Sequence, residues 1–275
     1  MTLGIDIGGT NLSFGLVEDS KVTEGFSVPS FTPGATLEET LEYLASKIRT
    51  ILVPSVRKIG IGVPSVVDVK HGIVYDTQNI PSWTTVPLKE YLEKQFGIPV
   101  AVNNDANCYA LGVYGTYPAG GKPETLVAMT LGTGLGIGIV DGGMLFCGAN
   151  CGAGELGCIP YADSIIEDYT SKKFFTTAGW NSMDANKAAR AGDPAALALF
   201  DEFGRHLGAA LCTVMYAYDP DCVAFGGGVA NNYPFFRKAM EAYVRENFPY
   251  RKAVERLKID ICTDSNLPVI GAALL

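Results

Sequence analysis

The sequence predicts an α/β protein made of two similar lobes, and three observations carry that expectation. A glycine-turned pair of alternating strands occurs twice, apolar residues recur between the two pairs at helical spacing, and the pairs align at offsets of 124 and 123. Ile5-Asp6-Ile7-Gly8-Gly9-Thr10 matches Met129-Thr130-Leu131-Gly132-Thr133-Gly134 at an offset of 124, and Phe14 to Glu18 matches Ile137 to Asp141 at 123. Similar hairpins near the starts of two halves suggest duplicated lobes rather than one continuous sheet, packed closely around a central cleft.

Along the chain, Leu3, Ile5 and Ile7 alternate, as do Leu12, Phe14 and Leu16 beyond the turn Gly8 to Asn11, which predicts a hairpin. Leu37, Leu41, Leu44, Ile48 and Leu52 recur at steps of three and four, one face of an amphipathic helix. Ile59–Val63 has the character of a buried strand. The spacing predicts a helix over Val86–Phe96, with Pro87 in its first turn and Gly97 as its stop. Val100-Ala101-Val102 is a short strand delivering Asn103-Asn104-Asp105, with a helix over Ala106–Leu111. In the second half, Pro194–Tyr218 is a long helix with Leu197, Phe200, Leu207, Leu211 and Met215 inward. Cys222–Phe225 is a strand, Gly226-Gly227-Gly228 opens a loop, and a further helix covers Tyr233–Phe248. The expected lobes are residues 1–109 plus 262–275, and residues 110–261.

Composition narrows the function. With 21 Lys+Arg against 29 Asp+Glu, the net charge of -8 repels phosphate backbones and anionic lipid heads, arguing against nucleic-acid and membrane partners. No apolar run reaches the ~18 residues of a membrane span, and no basic-then-apolar leader opens the chain. Seven cysteines, an odd and dispersed set, fit reduced thiols and a cytoplasmic location.

The glycine turns point to phosphate. Backbone N–H groups can surround phosphate oxygens only where no Cβ blocks the approach. A Rossmann fingerprint after Gly132 and Gly134 would need glycine at 137, which is Ile137, and the nearest match to a Walker loop is Gly121-Lys122-Pro123. Here the glycine turns instead join the two strands of hairpins. One such turn fits a plain tight hairpin; two of them, with Asp6 and the Gly226-Gly227-Gly228 run, fit phosphate handling better.

These residues carry a resemblance. Asp6-Ile-Gly-Gly-Thr-Asn11, Leu131-Gly-Thr-Gly-Leu-Gly-Ile-Gly-Ile139 and Gly226-Gly-Gly-Val-Ala230 look like the phosphate and adenosine motifs of the sugar kinase/actin/Hsp70 superfamily. More narrowly, the chain resembles the ROK family of sugar kinases and sugar-responsive repressors, from Gly4 to Gly271-Ala272-Ala273. The family signature fits through Gly134-x-Gly136, Gly148, Gly154 and Gly157, and departs at Cys158, where the family has a basic residue, usually His. The resemblance implies an actin-like (ribonuclease H-like) duplicated α/β fold. It also implies ATP bound at Asp6, Gly8, Gly9, Thr10, Asn11, Gly132, Thr133, Gly134, Gly136, Gly226, Gly227 and Gly228, with Asp6 holding Mg²⁺ through water.

By the same resemblance, Asn104-Asp105-Ala106-Asn107 matches a segment in which the Asp is the general base and the Asn binds a sugar hydroxyl. Local sequence alone fits Asp105 equally well as a helix N-cap. Glu155 and Glu167 match the family's sugar-binding acids, Cys158 takes the place of a sugar-side His, and Ser65 stands where many members have Gly. Asn79, in Asn79-Ile-Pro-x-Trp83, resembles a pocket-side residue. Most members also carry a structural zinc on that His and a following Cys-x-Cys-Gly-x-x-Gly-Cys run. This chain has neither; Cys147, Cys151 and Cys158 make only three ligands where a closed site wants four, so no structural zinc is expected. His71 and His206 fit structural roles.

The expected function is an ATP:hexose 6-phosphotransferase with glucose as the default sugar, N-acetylmannosamine, allose or fructose being the alternatives. A non-catalytic sugar-binding pseudokinase is the competing class, prompted by Cys158. Family repressors carry a winged helix-turn-helix before the first hairpin, but five residues precede Asp6 here, which favours the kinase. The partner expected is a hexose or N-acetylhexosamine, and the long apolar-faced helix suggests a homodimer.

Overall fold

A computed structural model describes residues 1–275. The chain forms two compact units, one of residues 1–122, 144–153 and 265–275, the other of residues 123–143 and 154–264.

The first unit begins with β1 (Thr2–Ile7), β2 (Asn11–Glu18), β3 (Lys21–Pro29), α1 (Leu37–Ile51) and β4 (Ile59–Val63). Short strands β5 (Val66–Asp68), β6 (Ile73–Tyr75) and β7 (Thr85–Val86) follow, then α2 (Leu88–Phe96), β8 (Val100–Asn104) and α3 (Asp105–Thr116). The main sheet runs β3-β2-β1-β4-β8, with β1 antiparallel to β2 and parallel to β4, and β4 parallel to β8. Local chemistry sets the helix limits. Thr36 and Glu39 close a capping box at the start of α1, satisfying N–H groups the first turn leaves open. Gly97 stops α2 in the left-handed conformation at φ 64°, as its sequence position predicts.

The second unit starts with β9 (Thr125–Leu131) and β10 (Leu135–Asp141); the segment 144–153, with the two-residue strand β11 (Met144–Leu145), belongs to the first unit. The hairpin β12 (Pro160–Tyr161) and β13 (Ser164–Ile165) leads to α4 (Ile166–Thr170), α5 (Lys172–Thr177), α6 (Ser182–Arg190) and α7 (Pro194–Tyr218). Then come β14 (Cys222–Gly226), α8 (Tyr233–Asn247), α9 (Arg251–Arg256) and β15 (Lys258–Ile261). The central strands lie in the order β10-β9-β14-β15, with β9 antiparallel to β10 and parallel to β14, and β14 parallel to β15. This is the arrangement of β2-β1-β4-β8, so the sequence repeat is a repeat of topology. No helix is long and apolar enough to cross a membrane.

Helix α7 starts on an Asp193 cap with Pro194 in its first turn and buries Phe200, Phe203, Leu207, Leu211 and Met215. Leu197 is a correction: it is 39% exposed, because the buried stripe enters the helix at Ala196 and Leu199 instead. Gly204 and Gly208 let α8 lie close, since a Cβ on Gly204 would sit 2.4 Å from the Phe236 carbonyl oxygen. The apolar face that suggested a homodimer is therefore covered within the same unit.

The last helix, α10 (Leu267–Leu274), belongs to the first unit and packs on α3, β1 and β4. Alternation in β1 and β4 puts Leu3, Ile5, Ile59 and Ile61 on one face, all fully buried, and Gly4 and Gly60 on the other. A Cβ on Gly60 would lie 1.7 Å from the Ala272 carbonyl oxygen, and one on Gly271 would lie 1.6 Å from that of Cys108. Bare backbone is the only surface that fits there. This packing also moves the expected lobe boundary. A break at 109 would cut α3, whose Gly112 abuts Leu267, and residues 144–153 join the first unit through contacts of Cys147 and Cys151 with Asn103.

Candidate functional site

In the first unit, the candidate residues gather at the carboxyl ends of the parallel strands, where open α/β sheets bind ligands. Asp6 of β1, Gly62 of β4 and Asn103 of β8 stand in one row across the sheet. The turn beyond β1 is closed by Gly8 N–H donating to the Asn11 carbonyl at 2.9 Å. Ser30, unremarked in the sequence, braces that turn: its hydroxyl donates to the Gly8 carbonyl at 2.9 Å and its N–H to the Thr10 carbonyl at 2.8 Å. Gly9, Thr10 and Asn11 are exposed, as a ligand-facing turn must be.

At the start of α3 the cap falls on Asn104, not Asp105. Asn104 Oδ1 accepts from Ala106 N–H at 2.9 Å and Asn107 N–H at 3.3 Å, and its Nδ2 donates to the Ser65 carbonyl at 3.3 Å. Capping therefore does not account for the carboxylate at 105, which sits in the first turn with Oδ1 accepting from Ala106 N–H at 2.8 Å. Asn103 is a hub the sequence does not reveal beyond its place in an Asn-Asn-Asp run. Its Oδ1 accepts from Asn104 N–H at 2.8 Å, Asn107 Nδ2 at 3.0 Å and the Cys151 thiol at 3.1 Å. Cys147 and Cys151 lie side by side around it, and hydrogen bonds from Cys151 and Asn103 bring the Cys147 thiol down to about 6.

Burial, and secondarily the nearby Asp105 charge, push the Asp6 carboxyl up to about 7. Two neighbouring carboxylates of this kind suit a hydrated Mg²⁺, which takes one or two protein carboxylates and fills its other positions with water and phosphate oxygens. The shift also has a stability consequence. Between about 4 and 7 the folded chain keeps a proton at Asp6 that the unfolded chain releases, so this group makes stability fall as pH rises through that window. Thermal unfolding in EDTA checks it: Asp6→Asn should flatten the decline between pH 4 and 7, and curves that stay parallel to wild type would contradict the assignment.

Ser65 donates its hydroxyl to the Tyr75 carbonyl and lines a cavity of about 650 Å³ with Asp68, His71, Tyr75 and Asn150. His71 Nδ1 lies 2.7 Å from Asp68, and that contact holds the Asp68 carboxyl below the usual carboxylate range. Asn79 packs against the first glycine turn; a Cβ on Gly9 would be 3.3 Å from its Nδ2.

In the second unit, the turn after β9 is closed by Gly132 N–H donating to the Gly134 carbonyl at 3.0 Å. The Gly226–Gly228 segment lies beside it: Gly226 pairs with Thr130, and a Cβ on Gly227 would be 2.5 Å from the Leu131 carbonyl oxygen. Glu167 braces this turn, accepting from Leu135 N–H at 2.9 Å and from Lys173 Nζ at 2.5 Å. A Cβ on Gly134 would stand 2.3 Å from the Glu167 carboxylate and would displace it from Leu135. Glu155 and Cys158 are both exposed, with the thiol donating to Glu155 Oε2 at 3.8 Å. Partial burial and the acids Glu155 and Glu167 raise the Cys158 thiol. Gly154, at φ 97°, begins that segment under the Ile137 carbonyl, where no side chain fits. His206 receives or gives a hydrogen bond with the Tyr161 hydroxyl at 3.0 Å, a structural role.

Two units with one repeated strand order, each opening on a glycine-turned hairpin, define the actin-like two-domain fold of the sugar kinase superfamily. Within it the chain belongs to the ROK family, whose model matches residues 2–275. The chain is 32% identical over 265 residues to a glucokinase of Thermotoga maritima, an alignment covering 83% of this chain and 82% of the relative. It is 28% identical over 261 residues to an N-acetyl-D-glucosamine kinase of Aliivibrio salmonicida, covering 84% and 85%. Among solved structures, a ROK glucokinase of Streptomyces griseus in complex with glucose and AMPPNP superposes with a TM-score of 0.80 at 28% identity, covering 99% of this chain and 97% of that one.

Proposed function

We propose that the protein is an ATP-dependent sugar kinase that phosphorylates the 6-hydroxyl of a hexose, with glucose as the first candidate. The observation that carries this reading is Asp105, a carboxylate at the carboxyl end of β8 whose helix is already capped by Asn104. Relatives named glucokinase and N-acetyl-D-glucosamine kinase support a sugar acceptor, and the neighbour holding glucose and AMPPNP supports a nucleotide donor.

Bound Mg-nucleotide supplies the phosphoryl group with its charge partly offset by the metal. Asp105 takes the proton of the sugar hydroxyl as that oxygen attacks. Asn103 and Asn104 hold Asp105 in place by fixing the first turn of α3. Asp6 would hold Mg²⁺ through water, and the turns Gly8–Asn11 and Gly132–Gly134, each closed by its first N–H, would offer the N–H groups beyond that one to phosphate oxygens. Ser65, Asn79, Asn104, Glu155, Cys158 and Glu167 are the residues proposed to contact the sugar. Glu167 does so while bracing Leu135, and Asn104 through the second hydrogen of its amide. Cys158 offers a weaker hydrogen-bonding group than the imidazole of most family members, which favours a sugar affinity or preference that differs from that of zinc-bearing members.

The test is ADP release with Mg-ATP across glucose, mannose, fructose, allose, N-acetylglucosamine and N-acetylmannosamine. Sugar-dependent turnover with one of them is expected. Sugar binding without turnover on any would replace the kinase by a sugar-binding protein.

A further inference from the structure

The three glycine segments proposed to hold the nucleotide, Asp6–Asn11, Leu131–Gly136 and Gly226–Ala230, contain no lysine or arginine. Backbone N–H groups carry partial charges only, while a nucleoside triphosphate brings about four negative charges, of which one Mg²⁺ offsets two. About two negative charges are left to the partial charges of the motifs, and the second unit holds a cation beside them.

Lys172, the first residue of α5, is tied to one glycine segment by its backbone and reaches the other with its side chain. Its N–H donates to the Gly132 carbonyl at 2.9 Å, and its Cε lies 3.9 Å from where a Cβ on Gly228 would stand. Those two segments follow adjacent parallel strands, β9 and β14, so Lys172 lies at the carboxyl ends of both, its backbone at one and its side-chain stem at the other. The neighbouring Lys173 is occupied, at 2.5 Å from Glu167 and 3.2 Å from Asp168. Lys172 makes no ion pair.

Lys172 and Thr133 line one cavity of about 750 Å³. Two of the three acids in that lining are engaged, Asp168 with Lys173 and Ser164 and Asp163 with the Tyr169 hydroxyl, and the third, Glu202, is turned to solvent on α7. The geometry points to Lys172 as a phosphate-binding residue, pairing with the phosphate chain of a nucleotide laid across the Gly132–Gly134 turn and the Gly226–Gly228 segment. This assignment rests on the proposed nucleotide site. It adds the charge that the glycine motifs lack.

The test is calorimetric binding of ADP and of adenosine to wild type, Lys172→Met and Lys172→Arg. The side chain is exposed, so the substitutions spare the core, and thermal unfolding verifies this. Lys172→Met should weaken ADP by about 10-fold, the worth of one charge-assisted hydrogen bond, and leave adenosine unchanged. Lys172→Arg should restore most of the ADP affinity. If wild type binds ADP and Lys172→Met binds it equally well, or if adenosine weakens in parallel, the assignment is overturned. If wild type binds no ADP, the nucleotide reading itself fails and this assignment falls with it.

Discussion

Asp105→Asn is expected to cut turnover by about 10²–10⁴-fold, the usual worth of a positioned general base. The substitution is nearly isosteric, and the amide oxygen still accepts from Ala106 N–H, so α3 should start as before. Sugar and nucleotide binding should persist, which separates loss of the base from loss of the site. A second consequence follows from the neighbouring acid. Removing the Asp105 charge takes away one of the two causes that raise Asp6, so the upper end of the pH window over which stability declines should move lower. Near-normal turnover in Asp105→Asn would leave the carboxylate as a helix-start residue with no role in chemistry.

The largest expected effect on stability comes from Gly271→Ala. Its new Cβ would stand 1.6 Å from the Cys108 carbonyl oxygen, and Gly112 N already lies 2.6 Å from that Cβ position. Both obstacles are backbone, so no rotamer change relieves them and α10 must move away from α3. Overpacking a core ordinarily costs about 1–3 kcal/mol, and a backbone clash of this depth belongs at or above the upper end. Gly120→Ala is the control, since a Cβ there meets nothing within 4 Å; it should stay within about 0.5 kcal/mol of wild type. Chemical denaturation of both variants distinguishes the outcomes. Equal stability would mean that α10 docks loosely and that Gly4, Gly60 and Gly112 are not kept small by contact.

What the sequence discloses is what neighbouring residues decide. The hairpins at Gly8 and Gly132, the capped and glycine-terminated helices, and the 124-residue offset are all visible because strand alternation and helix spacing are local patterns. The offset proves to be a shared strand order. The glycines of β1 and β4 were not legible as a docking face, because their partner, α10, lies more than two hundred residues away in the chain. Contacts between distant segments likewise hid the extent of the first unit, which takes α3 whole and recovers residues 144–153. Leu197 misled because helical periodicity fixes a stripe but not where along the helix burial begins. At the site, Asp6 and Asp105 were recognisable as carboxylates after strands. The division of labour between Asn104 and Asp105 was not, since either side chain can cap a helix and only geometry assigns the bonds. Lys172 gave no signal at all. It stands outside every motif, and only folding lays it over two of them.

The proposed reaction moves a phosphoryl group from ATP to the 6-oxygen of a hexose with Asp105 as the base. Its most direct test is a phosphorus NMR measurement on glucose, ATP and Mg²⁺ incubated with wild type and with Asp105→Asn. Wild type should give a phosphomonoester signal coupled to the two protons on carbon 6, and the variant should lose it. Phosphate on another oxygen, or equal product from both proteins, would contradict it.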